Sequence, residues 1–173
     1  MREGTFHYFA YGSNMFTAWL RQPQRCPSAK ALGIAELHEH ELHWHKASKD
    51  GSGKCDVVAS AAPNASVPGV LYEIANDEKS GLDQAEGLGF GYEEIEIDVL
   101  CSQGQVNAKA YRATNTDPTL KPYTWYRALV IAGAREHCLP TSYIARLEAV
   151  PATEDPEPTR HDKNMALIAG ALA

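Results

Sequence analysis

Two short segments of this 173-residue chain hold residue types that chemistry can use. The first is Tyr8-Phe9-Ala10-Tyr11-Gly12-Ser13-Asn14-Met15. Aromatic and small apolar residues run into a Gly-Ser-Asn turn, and residues 15–21 then read as a short helix that Ser13 or Asn14 can cap. A glycine turn feeding a helix start presents unpaired N–H groups and the positive end of the helix dipole. Such a turn can hold a carboxylate or a developing oxyanion. It is too short for a phosphate loop and lacks the lysine of one. The second segment is Leu82-Asp83-Gln84-Ala85-Glu86-Gly87-Leu88-Gly89-Phe90-Gly91. Glu86 closes a predicted helix, where the negative end of the dipole raises a carboxyl pKa. A carboxyl group that titrates near neutrality both takes and returns a proton. Each segment also has a plainer reading: a simple strand-to-helix turn, and a solvent-exposed glutamate at a frayed helix end.

Other chemistry is poorly supported. His38, His40, His43 and His45 lie within eight positions, with Glu39 and Glu41 between them. Their spacing follows no standard zinc pattern, no second cluster completes a site, and a wet histidine-rich hairpin is expected instead. No metal is therefore assigned. Nucleophile motifs are missing: there is no Gly-x-Ser-x-Gly, and no cysteine is assigned a base that activates it. Ser13 is a nucleophile only in principle, because no Ser–His–Asp set follows from the spacing. What remains is a carboxylate and an anion-holding turn, without an evident covalent step.

These residues need a scaffold, and composition bounds it. The hydrophobic fraction of 44% and charged fraction of 22% are those of a folded domain with a core, and thirteen Gly with ten Pro favour a turn-rich, β-containing architecture. Net charge is −6, without a Lys/Arg cluster, which argues against nucleic acid and anionic membrane as partners. No run approaches the ~20 apolar residues of a membrane span. No apolar stretch follows Met1-Arg2-Glu3-Gly4, so Cys26, Cys55, Cys101 and Cys138 are expected as free thiols in a cytoplasmic protein.

Along the chain, residues 5–11 read as a strand and residues 31–46 as two strands meeting near His38–His40. Residues 49–55 read as a polar loop, and residues 57–62 and 67–74 as short strands. Asn76 or Asp77 can cap a helix to about residue 85. Ile95, Ile97 and Val99 alternate with Glu94, Glu96 and Asp98, which predicts a half-buried strand with a solvated acidic face. Residues 105–113 pair with it across Ser102-Gln103-Gly104. Residues 123–135 and 140–150 read as helices. Residues 1–150 are thus one domain, and residues 151–173 a Pro-rich acidic linker and C-terminal tail in which 160–173 either add a helix or stay loose.

The two active segments, taken in this order with Gly69-Val70-Leu71-Tyr72, the alternating strand and residues 126–147, resemble the γ-glutamylcyclotransferase family of the AIG2-like superfamily over about residues 5–150. The resemblance implies an α+β fold: a small, mainly antiparallel β-barrel with flanking helices. It implies a pocket lined by Tyr8, Phe9, Ala10, Tyr11, Gly12, Ser13 and Asn14, with Glu86 as the acid–base residue and Tyr126 at the pocket. Tyr92 matches a further pocket tyrosine, although its parity with Glu94 and Glu96 points it outward. The implied substrate is a small γ-glutamyl amide whose own α-amine attacks the γ-carbonyl and gives 5-oxoproline and a free amine. No cofactor is required, and relatives point to a homodimer. Two alternatives share the fold: an enzyme for γ-glutamyl amines or a pathway-specific γ-glutamyl-deprotecting enzyme, and a non-catalytic binding module.

Overall fold

The computed structural model describes residues 4–171. Met1, Arg2 and Glu3, read above for a leader, and the last two residues of the expected tail lie outside the described residues. The chain runs through β1 (Thr5–Ala10), a 3-10 turn (Ser13–Met15), α1 (Thr17–Leu20), β2 (Lys30–His38), β3 (His40–Ala47) and β4 (Gly53–Ala59). It continues through β5 (Ser66–Ala75), a 3-10 turn (Asn76–Glu78), α2 (Lys79–Glu86), β6 (Tyr92–Cys101) and β7 (Gly104–Ala113). Three helices complete it: α3 (Thr124–Glu136), α4 (Thr141–Glu148) and α5 (Pro158–Ala171).

Five strands close a barrel in the order β1-β5-β2-β6-β7, and β3 with β4 form a separate two-stranded sheet. The barrel pairings are antiparallel except the closing one, where Tyr8 of β1 lies opposite Lys109 of β7 in parallel. This is the α+β, mainly antiparallel barrel with flanking helices that the sequence implies.

Register divides the barrel residues into two sets. Phe9 pairs with Leu71, and Ile97 with Ala108, on the face that also carries Ile95, Val99 and Ala110. Phe9, Val99 and Ala110 are fully buried there and fill the barrel. The opposite face carries Tyr8, Tyr92, Glu94 and Tyr111. A strand buried on one side alternates in this way because successive side chains point to opposite faces.

Several expectations need correction. β2 and β3 follow one another but do not form a hairpin, since β5 and β6 occupy the two edges of β2. Glu39, at φ 58, turns the chain out of the barrel so that β3 can pair with β4. The histidine segment therefore spans two sheets: His45 Nε2 bonds Asp56 Oδ2 at 2.8 Å, and His43 lies beside it with ring centroids 4.9 Å apart. Residues 53–55, expected in a loop, open β4. The acidic face of β6 is only partly solvated, because Glu94 forms ion pairs with Lys79 and Lys109 (Nζ to Oε1 2.5 Å for Lys109). Neither Ser13 nor Asn14 caps the first helical turn, and neither Asn76 nor Asp77 caps α2 by a side-chain bond.

The segment after residue 150 is docked on the domain rather than trailing from it. Thr124 N–H donates to Thr153 O at 2.9 Å, and Thr153 N–H to Pro122 O at 3.0 Å. Asp155 is buried, accepts from Trp125 Nε1 at 2.6 Å, and forms a two-point pair with Arg160. Helix α5 then packs on the domain with Asn164 and Ile168 buried. Proline and acid content suggest a solvated linker only while the partners of the acids are unknown.

One glycine sets how closely helix and active turn approach. A Cβ on Gly133, within α3, would lie 2.4 Å from Phe16 N and 2.5 Å from Met15 C. Alanine in a helix interior ordinarily gains about 1 kcal/mol over glycine. Here the same change forces backbone against backbone, so Gly133→Ala is expected to lower stability by about 1–3 kcal/mol. Urea unfolding of the variant checks the sign; a stabilised variant would show that α3 and the turn are not in close contact.

Candidate active site

Helix α2 delivers Glu86 because the helix ends there. Gly87 adopts φ 72, ψ 45, a left-handed conformation that lacks a steric penalty only for glycine. Leu88 N–H bonds Asp83 O at 2.9 Å and Gly87 N–H bonds Gln84 O at 3.1 Å, closing the last turn. Two side-chain links tie α2 to the barrel: Tyr111 Oη donates to Asp83 Oδ1 at 2.5 Å, and Lys79 bridges Asp83 and Glu94.

The turn after β1 meets Glu86 through Asn14. The Asn14 amide nitrogen donates to Glu86 Oε1 and to Tyr8 Oη, the latter at 2.9 Å, while its Oδ1 accepts from Arg25 Nη1 at 3.3 Å. Both amide hydrogens and the carbonyl are thereby committed, which fixes the orientation of this buried side chain. Because Tyr8 Oη accepts from Asn14, its own proton is left to donate elsewhere. The first backbone bond of the turn runs from Met15 N–H to Gly12 O at 3.0 Å, so the turn does not use the N–H groups of Ser13 and Asn14.

The second sheet roofs the recess. Tyr92 Oη donates to Cys55 O at 2.7 Å, and Cys55 N–H donates to Tyr126 Oη at 3.1 Å. Tyr11 Oη donates to Tyr111 O. The resulting recess is lined by Tyr8, Tyr11, Gly12, Ser13, Asn14, Cys55, Glu86, Tyr92, Tyr111 and Tyr126. It opens on the outer face of the barrel, beneath α2, α3 and β4.

Eight of the ten residues singled out from the sequence meet in this recess. Phe9 does not, because strand alternation sends it into the barrel interior, and Ala10 is buried outside the lining. Tyr92 does share a face with Glu94, as parity requires, yet that face is covered at Tyr92 and open at Glu96. Sequence reasoning missed Tyr111 and Cys55. Tyr111 carries a weak signal, an aromatic on the strand paired with the alternating one. Cys55 carries none, since it sat in a presumed loop.

Burial governs the electrostatics. It pushes the Glu86 carboxyl above its ordinary range, opposed by Arg25, by the Asn14 hydrogen bond and by Lys46. The dipole argument made from sequence is not needed for that direction. Burial also raises Tyr8, Tyr11, Tyr92 and Tyr126, which therefore stay protonated donors. The Cys55 thiol is pushed up to about 12 by burial and is not a thiolate at neutral pH. Among the described residues no cluster of three or more His, Cys, Asp or Glu is placed to hold a metal ion. None of the described helices is long and apolar enough to cross a membrane.

Residues 66–147 match the AIG2-like family. The γ-glutamylcyclotransferase of Homo sapiens is 31% identical over 154 residues, covering 86% of this chain and 80% of that protein. That of Mus musculus is 33% identical over 160 residues, covering 88% and 83%. A solved γ-glutamyl cyclotransferase has a TM-score of 0.79 at 28% identity, covering 88% of this chain and 92% of that one.

The raised Glu86 pKa carries a stability consequence. In the folded state the group holds its proton to higher pH than its ordinary value of 4.5. Between those two pH values the native state binds more protons than the unfolded one, so stability falls as pH rises through the window. Glu86→Gln removes that dependence. The variant is expected to match the wild type at pH 4 and to exceed it at pH 8, as read by urea unfolding at both; a wild type that is the more stable at pH 8 would mean a lowered pKa.

Proposed function

The chain belongs to the γ-glutamylcyclotransferase family, and we propose that it closes the glutamyl moiety of a small γ-glutamyl amide into 5-oxoproline, with Glu86 as the acid–base group. The observation that carries the reading is the pairing of a half-buried carboxyl, whose pKa desolvation raises, with Asn14 in a tyrosine-lined recess that offers no activated nucleophile. Cys55 is held as a thiol, and no His–Ser pair faces Ser13 among the described hydrogen bonds. A substrate that supplies its own nucleophile needs neither.

In this reaction the substrate α-amine attacks the γ-carbonyl carbon. The new C–N bond closes a five-membered ring as the γ C–N bond to the leaving amine breaks. Glu86, ionised, takes the proton that the α-ammonium must lose and returns one to the departing amine. Tyr8 Oη, its lone pair engaged by Asn14, donates its proton to a carboxylate or to the developing oxyanion, together with the N–H groups of Ser13 and Asn14 that the turn does not use. Holding the amine and carbonyl in attack geometry lowers the barrier by several kcal/mol through proximity alone. No cofactor enters any step.

Mass spectrometry of the purified protein incubated with γ-glutamyl dipeptides and γ-glutamyl amines tests the reaction: 5-oxoproline is the expected product, and free glutamate would mean hydrolysis instead. Glu86→Gln is expected to keep the fold and ligand binding while losing at least ~10²-fold in turnover, the usual worth of general acid–base catalysis. Near-wild-type turnover in that variant would take Glu86 out of the mechanism.

A further inference from the structure

The turn that carries Asn14 and the helix α1 behind it are two short helical pieces, and the joint between them leaves backbone groups to be met from elsewhere. The backbone bonds of the stretch run from Met15 N–H to Gly12 O, from Phe16 N–H to Ser13 O, and from Trp19 N–H and Leu20 N–H to Phe16 O. None of these uses the Met15 carbonyl or the Thr17 N–H. Met15 is fully buried, and a buried backbone group without a partner is costly. Side chains meet both. Tyr72 Oη, from β5, donates to Met15 O at 2.9 Å, and Glu136 Oε2, on the last residue of α3, accepts from Thr17 N–H at 2.9 Å. Helix α1 makes no side-chain cap of its own and is capped in this way from α3.

His137 closes the set. It follows the last residue of α3, its ring stands edge-on to Tyr72, and its Nε2 lies 3.0 Å from Tyr72 Oη and 3.1 Å from Thr17 Oγ1. Thr17 Oγ1 is itself 3.1 Å from Tyr72 Oη, and Glu136 Oε2 is 3.8 Å from the imidazole. The direction of these bonds follows from counting protons. A phenol has one to give. Burial pushes the Tyr72 pKa up, so the proton is kept at neutral pH, and Met15 O takes it. Toward its other neighbours Tyr72 Oη can only accept. His137 therefore carries a proton on Nε2, and Thr17 turns its hydroxyl proton to Tyr72. The neutral Nε2–H tautomer and the imidazolium both donate from that nitrogen, so the arrangement survives on either side of a histidine titration.

The carbonyl held by Tyr72 belongs to the residue after Asn14, whose amide bonds Glu86 and Tyr8. We propose that Tyr72 and His137 are positioning residues for Asn14: His137 orients the Tyr72 hydroxyl, Tyr72 fixes the Met15 carbonyl, and the fixed turn keeps the Asn14 amide on Glu86. Neither Tyr72 nor His137 is among the residues lining the recess, so both act through the turn. The hold on Asn14 is independent of what Glu86 does; its consequence for turnover rests on the cyclotransferase reading.

Carbon-13 NMR of the Glu86 side-chain carboxyl reads the effect without turnover. Burial raises the Glu86 pKa against Arg25, the Asn14 bond and Lys46, which favour its charge; loosening the Asn14 bond raises it further. Tyr72→Phe and His137→Leu are each expected to move the Glu86 titration upward by roughly 0.5–1 pH unit, part of the worth of a hydrogen bond to a charged group. His137→Gln, whose amide nitrogen stands in for Nε2–H, is expected to keep the wild-type titration. A merely structural loss would lower stability and leave the titration of the folded protein where it was. Nitrogen-15 NMR of the wild type is expected to show the His137 proton on Nε2. An unmoved titration in Tyr72→Phe or His137→Leu, a shift in His137→Gln as large as in His137→Leu, or a His137 ring protonated on Nδ1 alone would overturn the assignment. In turnover, the acid limb of the kcat/KM profile is expected to move with the NMR titration. Shifted titrations in the variants of a protein whose wild type releases no 5-oxoproline uphold the hold on Asn14 and overturn the reaction.

Discussion

A carboxyl group withdrawn from water resists ionisation, and the whole arrangement around Glu86 turns on how far that resistance is offset. Its direct partner is a neutral donor, Asn14, rather than a cation in contact. A salt bridge would hold the group ionised and make it a poor acid; a purely apolar pocket would hold it protonated and make it a poor base. One amide hydrogen bond, with Arg25 and Lys46 acting at longer range, offsets part of the cost of desolvation. Asn14 must therefore be fixed, and three parts of the fold fix it. Tyr8 on β1 and Arg25 beyond α1 hold its amide from two sides, while α3 comes within backbone contact of the following residues at Gly133.

The barrel serves this arrangement from its outside. Its interior carries Phe9, Leu71, Val99 and the small Ala108 and Ala110, all of them buried. The same strands turn Tyr8, Tyr92 and Tyr111 to the opposite face, and the two-stranded sheet of β3 and β4 covers them. Two hydrogen bonds hold that cover in register with β7 and the helices: Asp56 Oδ1 accepts from Ala113 N–H at 2.8 Å, and Tyr126 Oη accepts from Cys55 N–H. A hydroxyl buried without a partner would cost about 1–3 kcal/mol; Tyr8, Tyr11, Tyr92, Tyr111 and Tyr126 each have one.

What was legible in the sequence was local. Tyr8 to Asn14 and Leu82 to Gly87 are contiguous, so strand, turn, helix end and carboxylate could be placed before any fold was known. The alternation from Glu94 to Val99 identified a barrel strand and its buried side. Contacts between distant residues were not legible. Tyr92 looked outward because parity assigns a face and says nothing about what covers that face. Lys46 and Cys55 reach the site only because β3 and β4 leave the barrel at Glu39, a topological choice with no composition signature. Asp155 reads as a linker acid until Trp125, thirty positions earlier, and Arg160 are known to meet it.

Lys46 acts on Glu86 from the outer side of the recess. Its ammonium favours the ionised carboxyl, lowering a pKa that burial raises, and Glu86 in turn favours the charge of Lys46 against the cost of burial. The two groups belong to different elements, α2 and β3, so the proton affinity of Glu86 depends on where β3 is carried once the chain leaves the barrel at Glu39.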